Sequence, residues 1–295
     1  MSVNSVNRKD NDMQIYCGKI KVNILNCGTF KLDGGAMFGV VPKTIWNKTN
    51  PADEMNRILL GMNPLLIESG NRKVLVDAGI GDKFSDKYMQ IYCISNDANH
   101  ICDELKKINV TPDEVTDIII THLHFDHCGG FTKYADAGVS ELMFKNAEIY
   151  LQKKHYEAAG APTERDRASF IKDDIQPIFD SPRLKLLDGD TADVIPGISV
   201  KVSNGHTPAL QTIKINDSGQ SVYYLSDLTP TSSHIPIPYV MGYDLYPVTM
   251  VAEKRKMFDD IIAENAIAIF EHDPFWPVYK INKNEKGYFG VKHQI

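Results

Sequence analysis

A chain of 295 residues is long enough to bury a substantial core, as one large domain or two modest ones. Its 38 acidic against 32 basic residues leave a formal charge of −6, and no basic run offsets it, so nucleic acid is not expected as a partner. Hydrophobic residues at 43% and charged residues at 24% are ordinary for a soluble globular protein, and no segment approaches the ~18 apolar residues of a membrane span. The opening "MSVNSVNRKDNDM" has no apolar run of the secretory type. Five cysteines (Cys17, Cys27, Cys93, Cys102, Cys128) make an odd number without a C-x-x-C pair. A reducing, cytoplasmic setting is the expectation.

Residues 1–18 are expected to be flexible, and the absence of a Gly/Ser linker favours a single domain over 1–295. "IKVNILNCGTFKL" (20–32) reads as a strand, and 32–50 as a Gly/Pro-interrupted loop with large apolar side chains. "PLLIESGNRKVLVDAG" (64–79) is a hairpin turning at Gly70-Asn71. Ile101, Leu105 and Ile108 share one face of a helix over 99–108. "TPDEV" (111–115) is a capping box with proline at the first helical position, followed by a strand that ends at Thr121. A strand at 147–151 and helical stretches near 152–159 and 165–179 come next. Strands at 184–187, 198–202, 210–215 and 221–226 read as a second strand cluster, closed by a helix near 248–264 and a strand at 267–270. Two halves of alternating strands and helices favour an α/β fold of the α+β type, an αββα sandwich; periodicity alone leaves a doubly wound sheet open.

The densest chemistry is "ITHLHFDHCGG" (120–130), three histidines and an aspartate within six positions after a buried strand. Imidazole nitrogen and carboxylate oxygen suit zinc and its first-row neighbours. In an extended stretch His122 and His124 point the same way. Asp126 and His127 follow closely enough to serve a second ion about 4 Å from the first, the separation of two-metal hydrolases. A lone histidine is more often a core or surface residue, but H-x-H-x-D-H is too dense for that reading. His206, Asp227 and His272 each follow a predicted strand, where loops can converge on one rim. No G-x-S-x-G motif or Ser-His-Asp arrangement is present.

The order "VDAG" (76–79), "THLHFDH", "GHT", "SD" and a final histidine resembles the metallo-β-lactamase superfamily from about residue 20 onward. That resemblance implies the αββα sandwich. It also implies that His122, His124 and His206 hold one metal, that Asp126, His127 and His272 hold a second, that Asp227 bridges them and that Asp77 supports the site from behind. Zinc is the usual occupant, and manganese, iron or cobalt use the same ligands. Aspartate at 227 departs from the cysteine of true β-lactamases. His124 departs from the glutamate of diiron flavoprotein relatives, and the 23 residues after His272 leave no room for the C-terminal domain of glyoxalase II.

Segments 32–46, 226–236 and 240–247 are similar to quorum-quenching N-acyl-homoserine lactonases, with methyl-parathion-hydrolase-type phosphotriesterases as cousins. The resemblance implies a lactone or ester substrate, opened by a hydroxide held between two metals and Asp227, and makes a homodimer plausible. Related lactonases carry a tyrosine just after the bridging aspartate as proton donor. Leu228-Thr229-Pro230 stands there in this chain, so His234, Tyr243 and Asp126 are the candidates, in that order. Met37, Phe38, Val40 and Val41, with Phe275 and Trp276, are the expected lining of an acyl pocket.

Overall fold

The computed structural model describes residues 13–95, 100–136 and 138–295. The flexibility expected for 1–18 lies outside the described residues up to position 12. Beyond it the expectation fails, because Met13–Cys17 is a strand, β1, paired with β2 (Ile20–Ile24). The single strand expected over 20–32 is broken: β3 (Thr29–Asp33) leaves the sheet after Gly28, whose φ is 92°, and pairs with β4 (Arg57–Gly61). The expected loop at 32–50 contains two short helices, α1 (Gly34–Phe38) and α2 (Lys43–Trp46). The Asp33 carboxylate caps α1 through the Ala36 N–H at 2.8 Å.

β5 (Leu65–Ser69) and β6 (Arg72–Val76) form the expected hairpin. After α3 (Asp86–Ile91) and α4 (Ile101–Lys107), β7 (Asp117–Ile119) lies parallel to β6. The helical turn α5 (Phe125–Cys128) carries half of the histidine motif. The small hairpin β8 (Thr132–Tyr134) and β9 (Ser140–Leu142) leads to β10 (Glu148–Gln152), parallel to β7. Helices α6 (Lys153–Gly160) and α7 (Lys172–Phe179) then bring the chain back to β11 (Leu184–Leu187).

β11 does not join the second strand cluster; it lies parallel to β10 as the edge of the first sheet, with Ile149 opposite Leu184. The helical crossover over 153–179 makes that return possible, and strand periodicity carries no sign of it. The first sheet therefore runs β1-β2-β5-β6-β7-β10-β11. The second contains β12 (Thr191–Ile195), β13 (Ile198–Ser203), β14 (Leu210–Asp217) and β15 (Gln220–Tyr224). After α8 (Pro247–Ala263) it continues with β16 (Ile267–Ile269), β17 (Val278–Asn284) and β18 (Gly287–Lys292), in sequential order.

Alternation along the strands explains the layers. Leu65, Ile67, Val74, Val76 and Ile119 of the first sheet meet Val200, Ile213, Ile215, Val222 and Ile269 of the second in one buried cluster. The intervening Leu66, Leu75 and Ile118 face outward, under α4 and α7. On the other side Tyr223, Ala268 and Phe270 pack against Met250, Met257, Phe258 and Ile261 of α8. Each fully buried aliphatic side chain contributes roughly 1.5–3 kcal/mol relative to exposure. The result is the expected αββα sandwich. No helix among the described residues is long and apolar enough to cross a membrane.

Candidate active site

The site sits where strands of both sheets end at one rim. Asp77 follows β6, the 121–128 segment follows β7, His206 follows β13, Asp227 follows β15 and His272 follows β16. Asp77 and Ser226 hold left-handed backbone, with φ of 56° and 45°, at the points where their strands turn into the site. Gly129 and Gly130 let the motif lie directly on the 78–80 backbone: a Cβ on Gly130 would stand 2.1 Å from the Ala78 carbonyl oxygen.

Two groups of side chains converge there. His122 Nε2 and His206 Nε2 each lie 3.1 Å from His124 Nδ1. His127 Nε2 and His272 Nε2 lie 3.1 Å apart, with Asp126 Oδ2 at 4.0 Å and 3.6 Å from them. Asp227 reaches both groups. Its Oδ2 is 3.2 Å from His206 Nε2, and its Oδ1 is 3.2 Å from His272 Nε2.

Most of the imidazoles are oriented from behind. The Nδ1–H groups of His206, His127 and His272 donate to Asp244 (2.8 Å), Asp77 (3.0 Å) and the Gly61 carbonyl (2.9 Å). That leaves their Nε2 lone pairs facing inward. Asp77 also accepts from the N–H and hydroxyl of Thr121 at 2.9 and 2.7 Å, and Thr121 Oγ1 lies 3.1 Å from His122 Nδ1. Farther back, the Tyr224 hydroxyl donates a short hydrogen bond to Glu271, whose carboxyl burial pushes up to about 8.

Buried imidazoles in close contact repel when charged. Burial and the neighbouring imidazoles hold His122 well below its ordinary pKa, and His124 likewise. At His272 burial also disfavours the charge, but the Asp227 carboxylate outweighs it and lifts the group to about 9. Asp227 stays ionised against its own burial because His272, His127 and His206 surround it, and its Oδ1 has no hydrogen-bond partner among the described residues. Inward-facing nitrogens and an unsatisfied carboxylate oxygen form a donor set that fits divalent cations.

Above the cluster opens a cavity of about 330 Å³. Its floor includes His124, Asp126, Asp227 and His272; its walls include Leu32, Met37, Leu60, Phe125 and Met241, and Tyr92, Arg165 and Tyr243 stand among its polar lining. Tyr92 packs on Phe125 at 5.1 Å between ring centres.

Of the six expected pocket residues, Met37 alone lines this cavity. Phe38 is fully buried between Trp46 and His234, with ring centres at 5.5 and 4.4 Å. Val41 is buried in the same core, Val40 is 89% exposed, Phe275 is exposed, and Trp276 donates its indole N–H to the His293 carbonyl. Phe38, at the end of α1, turns into the core, and Val40, just past the left-handed Gly39, turns to solvent, so neither faces the cavity.

His234 is a second correction. It is fully buried outside the cavity lining, with Nε2–H donating to the Met37 carbonyl at 2.8 Å and Nδ1 accepting from the Thr231 hydroxyl at 2.8 Å. Burial lowers its pKa to about 3, so both nitrogens serve the fold. Tyr243 and Asp126 do line the cavity.

Asp244, Arg165 and Tyr92 were not singled out from the sequence. A metal-binding histidine usually donates its other N–H to a carboxylate, a backbone carbonyl or water; at His206 that partner is Asp244 in "GYDLYP", which local spacing alone does not single out. Arg165 and Tyr92 carry no comparable signal.

Fold and site together define a metal-site α/β sandwich protein of hydrolase type. A family profile described as the Metallo-beta-lactamase superfamily matches residues 59–260, and the chain belongs to that superfamily. It is 27% identical over 220 residues to the N-acyl homoserine lactonase AiiA of Bacillus thuringiensis subsp. kurstaki, a match spanning 70% of this chain and 79% of that protein. It superposes on a probable metal-dependent hydrolase from Staphylococcus aureus with a TM-score of 0.83 at 30% identity, covering 95% of this chain and 100% of that one. A fold likeness extends to AidC, a dizinc quorum-quenching lactonase solved with a hexanoyl-homoserine product (TM-score 0.81, 19% identity, 97% and 98% covered).

Proposed function

We propose that this protein is a dinuclear metal hydrolase that opens lactone rings, N-acyl-homoserine lactones above all. The observation that carries the proposal is the Asp227 carboxylate, which presents one oxygen to each of two histidine groups. In this reading His122, His124 and His206 would hold one ion and Asp126, His127 and His272 the other, with Asp227 placed to serve either. Bound divalent ions, zinc being the usual choice for such ligands, supply a Lewis acid and lower the pKa of water toward ~7.

The chain's own residues do the rest. Asp77 and Asp244 fix the ring orientation of His127 and His206. Leu32, Met37, Leu60 and Met241 receive the acyl arm and keep bulk water from the ring. Opening the ring bonds the oxygen of one water to the acyl carbon, breaks the ring C–O bond and leaves an alkoxide that takes up a proton, while the new carboxyl group ionises and releases one proton net. Tyr243 lines the cavity, partly exposed; desolvation of its covered part, then Asp33, Tyr92 and Asp126, raise its phenol above the ordinary tyrosine value. Like any phenol it is protonated at neutral pH; its Oη–H gives a proton to the leaving oxygen, and the phenolate regains the proton that the attacking water releases. The names of AiiA and AidC support the substrate class.

The test is a pH-indicator assay on metal-quantified protein with a homoserine-lactone panel, alongside Asp227→Ala and Tyr243→Phe. The proposal expects one acid per turnover, two metals per chain and loss of activity in a folded Asp227→Ala. Two metals with turnover of phosphotriesters and none of lactones would move the substrate class while leaving the metal site in place.

A further inference from the structure

The cavity wall carries one adjacent pair of opposite charges, an exposed arginine and a half-buried aspartate. Arg165 and Asp166, in the connection between α6 and α7, both line it, and Arg165 is the one lysine or arginine among its described lining residues. An Nη2–H of Arg165 donates to the Gly242 carbonyl, which anchors the guanidinium across to the segment carrying Met241 and Tyr243. Among the described residues no carboxylate forms an ion pair with Arg165, so most of its N–H donors are left for water or a ligand. Asp166 spends Oδ1 on the Thr163 N–H (2.8 Å) and hydroxyl (2.6 Å), which fixes the turn and leaves Oδ2 out of that turn.

A purely hydrocarbon arm laid over Arg165 would strip water from several N–H donors without replacing it, which is unfavourable. A carboxylate or phosphate would satisfy the guanidinium, but it would lie against the neighbouring Asp166 carboxylate. A neutral group with a strong carbonyl acceptor avoids both penalties, and an amide also brings an N–H that suits a carboxylate neighbour.

We infer that Arg165 is a substrate-recognition residue that donates to the amide carbonyl oxygen of an N-acyl arm, with Asp166 selecting against anionic groups. This deepens the lactonase reading and rests on it: the enzyme is tuned to acylamino lactones over alkyl lactones of equal length.

The test compares the metal-loaded wild type with Arg165→Met and Arg165→Lys on N-hexanoyl-homoserine lactone and on a γ-lactone with an alkyl arm of the same length but no amide. Metal content and far-UV circular dichroism verify the variants. The expected result is a rise in KM and a fall in kcat/KM of about ten- to a hundredfold for the acylamino lactone in Arg165→Met, the range for a lost charge-assisted hydrogen bond. The alkyl lactone should change less than about threefold, and Arg165→Lys should recover part of the loss. Equal losses on both lactones, the mark of a mere clasp to Gly242, overturn the inference, and so does no loss on either.

If the wild type opens neither lactone, the reaction reading fails separately. Recognition is then read from competitive inhibition, by N-hexanoyl-homoserine lactone, of whichever ester the enzyme does hydrolyse. Weaker inhibition of Arg165→Met than of wild type supports the pair, and equal inhibition overturns it.

Discussion

Replacing His155 with glutamine should remove a pH-dependent part of the stability. His155 is fully buried beneath the histidine motif. Its Nε2 accepts from the Leu123 N–H at 2.8 Å and its Nδ1–H donates to the Pro208 carbonyl at 2.9 Å. One ring thus ties the backbone between His122 and His124 to the loop after His206, and it can do so only when neutral. Burial, against the pull of the Pro208 carbonyl, lowers its pKa from 6.5 to about 4.

A histidine depressed in the folded state gives stability that is complete above the unfolded value and is lost as the pH falls toward the folded one. At 1.36 kcal/mol per pH unit, the gap between 6.5 and about 4 corresponds to about 3 kcal/mol. The assay is urea unfolding of wild type and His155→Gln from pH 7.5 to 4. Both are measured in the same chelating buffer, so protonation of the shared metal-site histidines cancels in the difference. The wild-type advantage should shrink by about 3 kcal/mol between pH 7 and pH 4. An advantage that stays constant with pH would refute the reasoning.

Asp77→Asn keeps the size of a side chain that accepts from His127 and twice from Thr121, but removes its charge. Metal affinity should fall about ten- to a hundredfold, the usual effect of losing a ligand's outer partner; competition with a chromophoric chelator measures it, and unchanged affinity contradicts the assignment. His234→Gln should cost about 2 kcal/mol of stability through the lost bonds to Met37 and Thr231. Its kcat at neutral pH should stay within about threefold of wild type wherever the variant is folded; a much larger fall without loss of metal would restore a catalytic role.

Much of the site was legible because its residues carry unusual local chemistry. His122, His124, Asp126 and His127 crowd into six positions, and His206, Asp227 and His272 each stand just past a strand whose apolar alternation is itself visible. The walls were not legible in that way. Leu32, Met37, Leu60, Tyr92, Phe125 and Met241 are ordinary apolar or aromatic residues whose role depends on which way a helix or loop turns them. Phe38 and Met37 are neighbours, yet one stacks on His234 in the core and the other reaches the cavity.

The layered alternation of strands and helices and the metal-type donor set are written in residue type and short-range spacing, and both can be read along the chain. Long-range packing places β11 at the edge of the first sheet, brings Asp244 to His206 from 38 positions away, seals His234 in the core and sets Arg165 in the cavity wall. Those outcomes depend on which surfaces meet once the two sheets pack, and contacts between distant segments leave no periodic trace along the chain.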